Sequence, residues 1–312
     1  MKKISIVIPV YNEEEVVKTS YLRIKKVLDT LKEYDYELIF VNDGSKDATL
    51  NLLQDIANED IKVKIISFAR NFGHQSAVTA GIKEVTGDAI VIIDADLQDP
   101  PELIPDMLKL WEEGNDVIYG KRAKRKGESA FKLLSAKMFY KMLNALSDVE
   151  IPKDTGDFRL VDRKVIEVIN QMPEHNKFLR GLFSWVGFKQ VPYEYERKER
   201  AAGKTKYPFK KMWKLATDGI ISFSTKPLKL VGGIGIITII ISIGILIYSL
   251  ISYTFKLNQL TPGWTSIMVA ITLFSGVQLL SIWIISEYIS RIYDETRNRP
   301  QYIIDKKINI KK

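Results

Sequence analysis

Residues 230–255 and 265–286 form two long apolar segments, separated by a short loop and preceded by a polar, motif-rich stretch of about two hundred residues. Each has roughly 20 or more residues and no charge, enough to cross a hydrocarbon core as a helix rising about 1.5 Å per residue. The run Ile234-Gly235-Ile236-Ile237-Thr238-Ile239-Ile240-Ile241 is apolar on every face, as expected of a helix surrounded by lipid. The loop between the segments carries one charge, whereas the outer flanks carry Lys226 and Lys229 on one side and Arg291, Arg297, Arg299, Lys306 and Lys307 on the other. The positive-inside rule therefore places both flanks, and the large N-terminal portion, in the cytoplasm. The expected organisation is a cytoplasmic domain over 1–206, an interfacial amphipathic helix over 207–227, two transmembrane helices within 228–290 and a basic cytoplasmic tail over 291–312.

Composition narrows the chemistry. The chain has 312 residues, and removing the apolar hairpin leaves enough for one large domain with a sizeable core. There is no cysteine, so disulfide frameworks and thiolate catalysis are excluded. Two histidines, His74 and His175, are too few for a histidine-rich metal site, and His74 reads as a hydrogen-bonding residue at a helix start. A formal net charge of +8 suits anionic lipid headgroups in a membrane-bound chain better than nucleic acid. Two stripes at helical spacing are both apolar and basic. Phe131, Leu134, Met138 and Met142 alternate with lysines, and Phe209, Met212, Trp213, Ala216, Ile220 and Phe223 lie opposite Lys210, Lys211 and Lys214. The second is assigned to the membrane interface; the first suits either the membrane or the catalytic domain.

Along the polar portion, short β-branched runs alternate with helical patterns. Strands are expected over 4–10, 37–41, 63–68, 89–93 and 116–119, with helices over about 14–31, over 75–85 and after Pro100-Pro101. Such alternation implies a doubly wound parallel or mixed α/β sheet, which binds ligands at the carboxyl ends of its strands. The polar motifs fall at those ends: Tyr11 to Glu13, Asp43, Arg70 to Gln75, and Asp94 to Asp99. Asp94 and Asp96, one residue apart where an apolar strand ends, can share a hard divalent cation through oxygen ligands.

Three ordered motifs, Ile6-Val7-Ile8-Pro9-Val10-Tyr11-Asn12-Glu13-Glu14, Val41-Asn42-Asp43-Gly44-Ser45-Lys46-Asp47 and Asp94-Ala95-Asp96-Leu97-Gln98-Asp99-Pro100-Pro101, resemble those of family-2 inverting glycosyltransferases of GT-A fold. Arg70-Asn71-Phe72-Gly73-His74-Gln75 narrows the resemblance to the polyprenyl-phosphate glycosyltransferases, and the apolar hairpin to their bacterial, undecaprenyl-phosphate type. The resemblance covers nearly the whole chain. It implies transfer of one hexose, glucose or GlcNAc, from a UDP-sugar to undecaprenyl phosphate at the bacterial cytoplasmic membrane, by an enzyme that assembles as a homo-tetramer.

It further implies that Pro9, Tyr11, Glu13, Asp43, Asp94, Ala95 and Gln98 bind the nucleotide sugar, with Asp96 and Asp94 holding Mg2+ or Mn2+. Arg122, Arg200, Lys204 and Lys206 would hold phosphate, the last three on a basic loop. The family's catalytic carboxylate falls on Asp157, in Thr155-Gly156-Asp157-Phe158-Arg159. Because a monophosphate with a second pKa of about 6 is largely dianionic at neutral pH, Asp157 is expected to be either a base for the residual proton or an orienting group acting through Arg159. Two alternatives are weaker. A processive polysaccharide synthase would need more than two spans for a channel and a Gln-x-x-Arg-Trp motif. A non-catalytic nucleotide-sugar-binding scaffold would not require Asp94, Asp96 and Asp157 together.

Overall fold

The computed structural model describes residues 1–123, 152, 155–175, 177–196, 224–255 and 263–310. The candidate helix around 131–142, the interfacial helix over 207–223 and the basic-loop residues Arg200, Lys204 and Lys206 lie outside the described residues.

The chain begins with β1 (Lys2–Val10), α1 (Val17–Leu28), β2 (Tyr34–Asn42), α2 (Thr49–Glu59), β3 (Val63–Phe68), α3 (His74–Glu84) and β4 (Ala89–Ile92). A 3-10 turn (Pro101–Leu103) leads into α4 (Ile104–Glu112) and β5 (Val117–Arg122). Then come β6 (Thr155–Asp162), α5 (Arg163–Gln171), α6 (Leu179–Trp185) and β7 (Gln190–Tyr195). Two long helices, α7 (Lys226–Thr254) and α8 (Trp264–Thr296), precede a final strand, β8 (Ile304–Ile308).

The expected α/β sheet is present, and it is mixed. Its order is β7-β5-β6-β4-β1-β2-β3-β8. β1 pairs in parallel with β2 and β4, and β3 continues the parallel run from β2. β6 runs antiparallel to β4 and β5, and β8 antiparallel to β3. The period of two along each strand divides the core into two layers. Ile4, Ile6 and Ile8 pack with Val17, Ile24, Leu53, Ile104 and Met107 from α1, α2 and α4. Val7, Ile39, Val41 and Ile90 face the other way, onto Ala77, Ile82, Val165, Ile169 and Leu182 from α3, α5 and α6. Strands covered on both faces are mostly apolar, which is why β4 reads as an unbroken hydrophobic run and β1 as one broken only by Ser5 after its first two lysines.

Toward the opposite edge of the sheet from the motifs, Glu37 of β2 is 1% exposed. It accepts hydrogen bonds from Lys64 Nζ at 2.6 Å, Ser5 Oγ at 2.6 Å, Thr86 N at 2.7 Å and Lys3 Nζ at 2.9 Å. Burial alone would raise its pKa; these donors outweigh burial and bring it down from 4.5 to about 2. A carboxylate whose folded pKa is depressed stabilises the fold above its unfolded value, and that stabilisation is lost as pH falls through the folded value. Glu37→Gln is therefore expected to destabilise the domain by about 3 kcal/mol at neutral pH. The gap to wild type should close between pH 4.5 and about 2. Thermal melts of both proteins across that range check it, and a gap independent of pH would contradict the assignment.

The two apolar segments are helical, as expected. Ile236, Ile240 and Ile247 of α7 and Leu273, Leu279 and Ile282 of α8 are each more than half exposed, a surface that calls for lipid or a protein partner. Within α8, Leu273–Thr296 is long and apolar enough to cross a membrane by length and composition, with a mean hydropathy of 1.3 and none of it buried. α8 continues past the expected end at Ser286 into a charged stretch. There Glu295 accepts hydrogen bonds from the backbone N of His175 at 2.8 Å and lies 2.8 Å from its Nδ1. The tail then re-enters the domain. β8 extends the sheet beyond β3, Tyr302 stacks on Phe68 at 4.9 Å, and Lys307 pairs with Glu84 at 2.8 Å. Lys306 and Lys307, read from sequence as part of a basic flank, are thus strand residues at a charged sheet edge, a placement that discourages further strand pairing.

Candidate active site

The polar motifs gather on one edge of the sheet because β1, β2, β3 and β4 all end there. β6 is antiparallel to its neighbours, so its first residues, Thr155 to Asp157, arrive at the same edge. The two leading loops interlock. Asn12 N donates to Ser45 Oγ at 2.9 Å, Lys46 N donates to Asn12 Oδ1 at 2.8 Å, and Glu13 N donates to Thr49 Oγ1 at 2.9 Å. Pro9 is buried within β1, opposite Val41, while Tyr11 and Glu13 are half-buried in the loop beyond.

Asp43, at the end of β2, is committed to the next loop. Its carboxylate accepts from Phe72 N at 2.6 Å, Gly73 N at 3.0 Å and Asn71 Nδ2 at 2.9 Å. Burial raises its pKa against these donors. The bonds fix residues 71–73 and so the start of α3, where His74 sits. Gly44 makes the close approach of the two loops possible. Its φ is +64°, and a β-carbon there would overlap the Arg70 carbonyl carbon and stand 2.7 Å from Asn71 N. Gly44→Ala is expected to push the 70–73 loop away, lower activity about a hundredfold through misplacement of the centre, and cost about 1–3 kcal/mol of stability. Steady-state rates and a melt on the same preparation check both, and wild-type values in each would contradict the role given to the loop.

The centre itself joins four elements. Asp157 on β6 is gripped by Arg180 of α6, with Nε 2.7 Å from Oδ1 and Nη2 2.9 Å from Oδ2, a bidentate pair. His74 Nε2 lies 3.2 Å from Asp157 Oδ2 and 3.7 Å from Asp94 Oδ1, without hydrogen-bond alignment to either. Burial opposes the charge on Asp157, but Arg180 and His74 override it and hold the carboxyl well below the usual range. Burial likewise opposes an imidazolium at His74, yet Asp94 and Asp157 push it up to about 9. Asp94 goes the other way: burial raises it to about 6, and the charges of Asp157, Asp99 and Asp96 add to that against His74. In this state Asp157 is a standing anion and His74 a cation between two acids.

Arg159 is not the partner of the Asp157 carboxylate, contrary to the sequence expectation. It is buried, donates to the carbonyls of Gly156 at 3.1 Å and Asp157 at 3.3 Å, and lies over the Phe183 ring at 4.4 Å. Its charge is used to tie down backbone. The true partner, Arg180, lies 23 residues downstream of Asp157, and no spacing rule links the two in sequence.

Asp96 accepts from Gln98 N at 3.1 Å, and Ala95 is buried in the same turn. Arg122, at the end of β5, has its Nη2 2.6 Å from where a β-carbon on Gly156 would stand, and its buried Nε finds no hydrogen-bond partner. An N–H in that state has capacity for an anion. Among the described residues, no three His, Cys, Asp or Glu side chains form a ready-made metal cage. Asp94 and Asp96 supply two oxygen ligands, which suits Mg2+ or Mn2+ completing its shell with phosphate and water. The elevated pKa of Asp94 favours the fit: crowded carboxylates and burial make its ionised form costly, and a divalent cation would relieve that cost.

Residues 5–169 match the model of glycosyl transferase family 2. An uncharacterized glycosyltransferase of Bacillus subtilis, YkcC, is 53% identical over 98% of this chain and 94% of its own length. A prophage bactoprenol glucosyl transferase homolog of Escherichia coli is 43% identical, covering 97% of this chain and 98% of its own. Among solved structures, glucosyl-3-phosphoglycerate synthase from Mycobacterium tuberculosis with Mn2+, UDP-glucose and phosphoglyceric acid is 19% identical at a TM-score of 0.45, covering 70% of this chain and 78% of that one. It is too distant for any site residue to be carried across.

Proposed function

We propose that this chain, which belongs to glycosyl transferase family 2, moves a single hexose from a UDP-sugar to undecaprenyl phosphate, inverting the anomeric centre, at the cytoplasmic face of a bacterial membrane crossed by α7 and α8. One observation carries the reading: an acidic centre suited to a cation and a nucleoside diphosphate is tied, through β8 and the His175–Glu295 pair, to a long helix with an exposed apolar surface. The bactoprenol glucosyl transferase homolog, matched over nearly its whole length, supports the polyprenyl acceptor and favours glucose over GlcNAc as the sugar.

Asp94 and Asp96 would hold Mg2+ or Mn2+ at the donor diphosphate, where it would supply charge neutralisation as UDP departs. Tyr11, Glu13, Ala95 and Gln98 would contact the nucleotide sugar with Pro9 and Asp43, and Arg122 would take a phosphate oxygen. Arg200, Lys204 and Lys206 add positive charge for the acceptor. The acceptor phosphate, with a second pKa of about 6, needs no base at neutral pH. Its oxygen attacks the anomeric carbon as the bond to UDP breaks. Asp157, kept ionised by Arg180 and His74, offers fixed negative charge where the sugar becomes positive. The geometry thus favours an electrostatic and orienting role for Asp157 over that of a base. A homo-tetramer joined through the apolar helices completes the proposal.

The test is UDP release by the purified protein from UDP-glucose and from UDP-GlcNAc, with and without undecaprenyl phosphate and divalent cation. The reading expects release that requires both, with UDP-glucose preferred. Equal release without the lipid would overturn it.

A further inference from the structure

The turn that carries Asp94 and Asp96 is held in an unfavourable shape. Leu97 lies between Asp96 and Asp99 with φ +57°, and it is 6% exposed. A buried leucine in the left-handed region costs about 1 kcal/mol or more and persists only where its surroundings fix it. One restraint is local, the Gln98 N bond to Asp96 Oδ1. A second comes from 96 residues away: Asp99 is fully buried, and its Oδ1 accepts a hydrogen bond from the hydroxyl of Tyr195, the last residue of β7. Tyr195 is itself rigidly seated. Its ring meets Phe158 edge to face at 5.9 Å, and Gly120 leaves it room, since a β-carbon there would stand 2.9 Å from Cε1. Phe158 adjoins Asp157 on β6, so the same ring contact links the turn to the other half of the centre.

We propose that Tyr195 is a positioning residue for the divalent-cation site: through Asp99 it holds the strained 94–99 turn in the shape that lets Asp94 and Asp96 share one cation. The proposal rests on the reading of those two aspartates as cation ligands. Tyr195 acts on the ligands by fixing the far end of their turn, as outer-shell groups fix metal-bound side chains, and its hydroxyl also meets Arg122.

The test measures Mn2+ binding to the full-length protein in detergent with saturating UDP, by the loss of the free-ion signal in electron paramagnetic resonance, so no turnover is required. Tyr195→Phe keeps the ring and removes the hydroxyl. It is expected to fold with a lowered melting temperature, because a buried carboxylate loses a donor, and to bind Mn2+ about tenfold more weakly, the lower end of what outer-shell changes do. In turnover, its loss should appear as a raised KM for Mn2+, with kcat recovered at saturating metal. Gly120→Ala, which displaces the same ring without touching its hydroxyl, should weaken binding in the same direction and decides the matter if Tyr195→Phe does not fold. Wild-type Mn2+ affinity in a folded Tyr195→Phe or Gly120→Ala protein would overturn the inference while leaving the cation site standing. If wild type binds no Mn2+, or Asp96→Asn binds it as wild type does, the reading of Asp94 and Asp96 fails and the inference with it.

Discussion

Asp96→Ala is expected to fold normally and to lose at least about a hundredfold in transfer rate, the scale on which single electrostatic contacts to a transition state act. Asp96 is half-buried, and it accepts a hydrogen bond from Gln98 N within its own turn. A carboxylate on a half-exposed turn is not part of the packed core, so its removal should leave the protein folded. Of the two proposed carboxylate ligands, Asp94 alone would remain for a cation that would offset the charge of departing UDP. A melt and a rate measurement on one preparation separate the two effects. Full activity of the variant in excess chelator would remove the cation from the account.

Asp157→Asn is expected to be the more damaging change, by about a hundredfold to a thousandfold in rate. Its loss should be the same from about pH 5 to pH 8, on both sides of the acceptor's second pKa of about 6. Asp157 is held well below the ordinary carboxylate range, so it is ionised throughout that window and has no proton to exchange. The sign follows the usual rule for a depressed carboxylate: its contribution is complete above the unfolded pKa and is lost only in acid. An amide at this position cannot accept both Arg180 bonds, and it leaves Arg180 and His74 facing each other without the charge between them. A lower melting temperature should therefore accompany the rate loss. The pH–rate profile of both proteins is the check. A gap that narrows as pH rises above about 6 would restore Asp157 as a base for the residual phosphate proton.

The parts of this site that could be read in sequence are those governed by local rules. β-branched runs ending in polar residues located β1, β2, β3 and β4, and a parallel sheet puts its ligands where such strands end. The positions of Asp43, Asp94 and Asp96 just past strand ends are legible in this way. What the sequence did not reveal depends on contacts between distant segments. The antiparallel insertion of β6 places Asp157 at the shared edge, yet nothing local in Thr155–Asp162 tells which way the strand runs or which neighbours it pairs with. Arg180 sits in a seven-residue helix whose apolar pattern announces only packing. Arg159, two residues from Asp157 and apparently its partner, is drawn away by the Phe183 ring and two carbonyls. The tail reads from its arginines and lysines as a basic cytoplasmic segment, because nothing local marks Ile304–Ile308 as the partner of β3.

The central claim is that this membrane-tied centre places one sugar on a polyprenyl phosphate. Mass spectrometry of the lipid fraction tests it most directly, after incubation of purified protein with undecaprenyl phosphate, UDP-glucose and Mn2+. The account predicts a single new lipid heavier than the acceptor by one hexose, formed by wild type and absent with Asp96→Ala. A ladder of products bearing several sugars, or consumption of UDP-glucose with no change in the lipid, would contradict it.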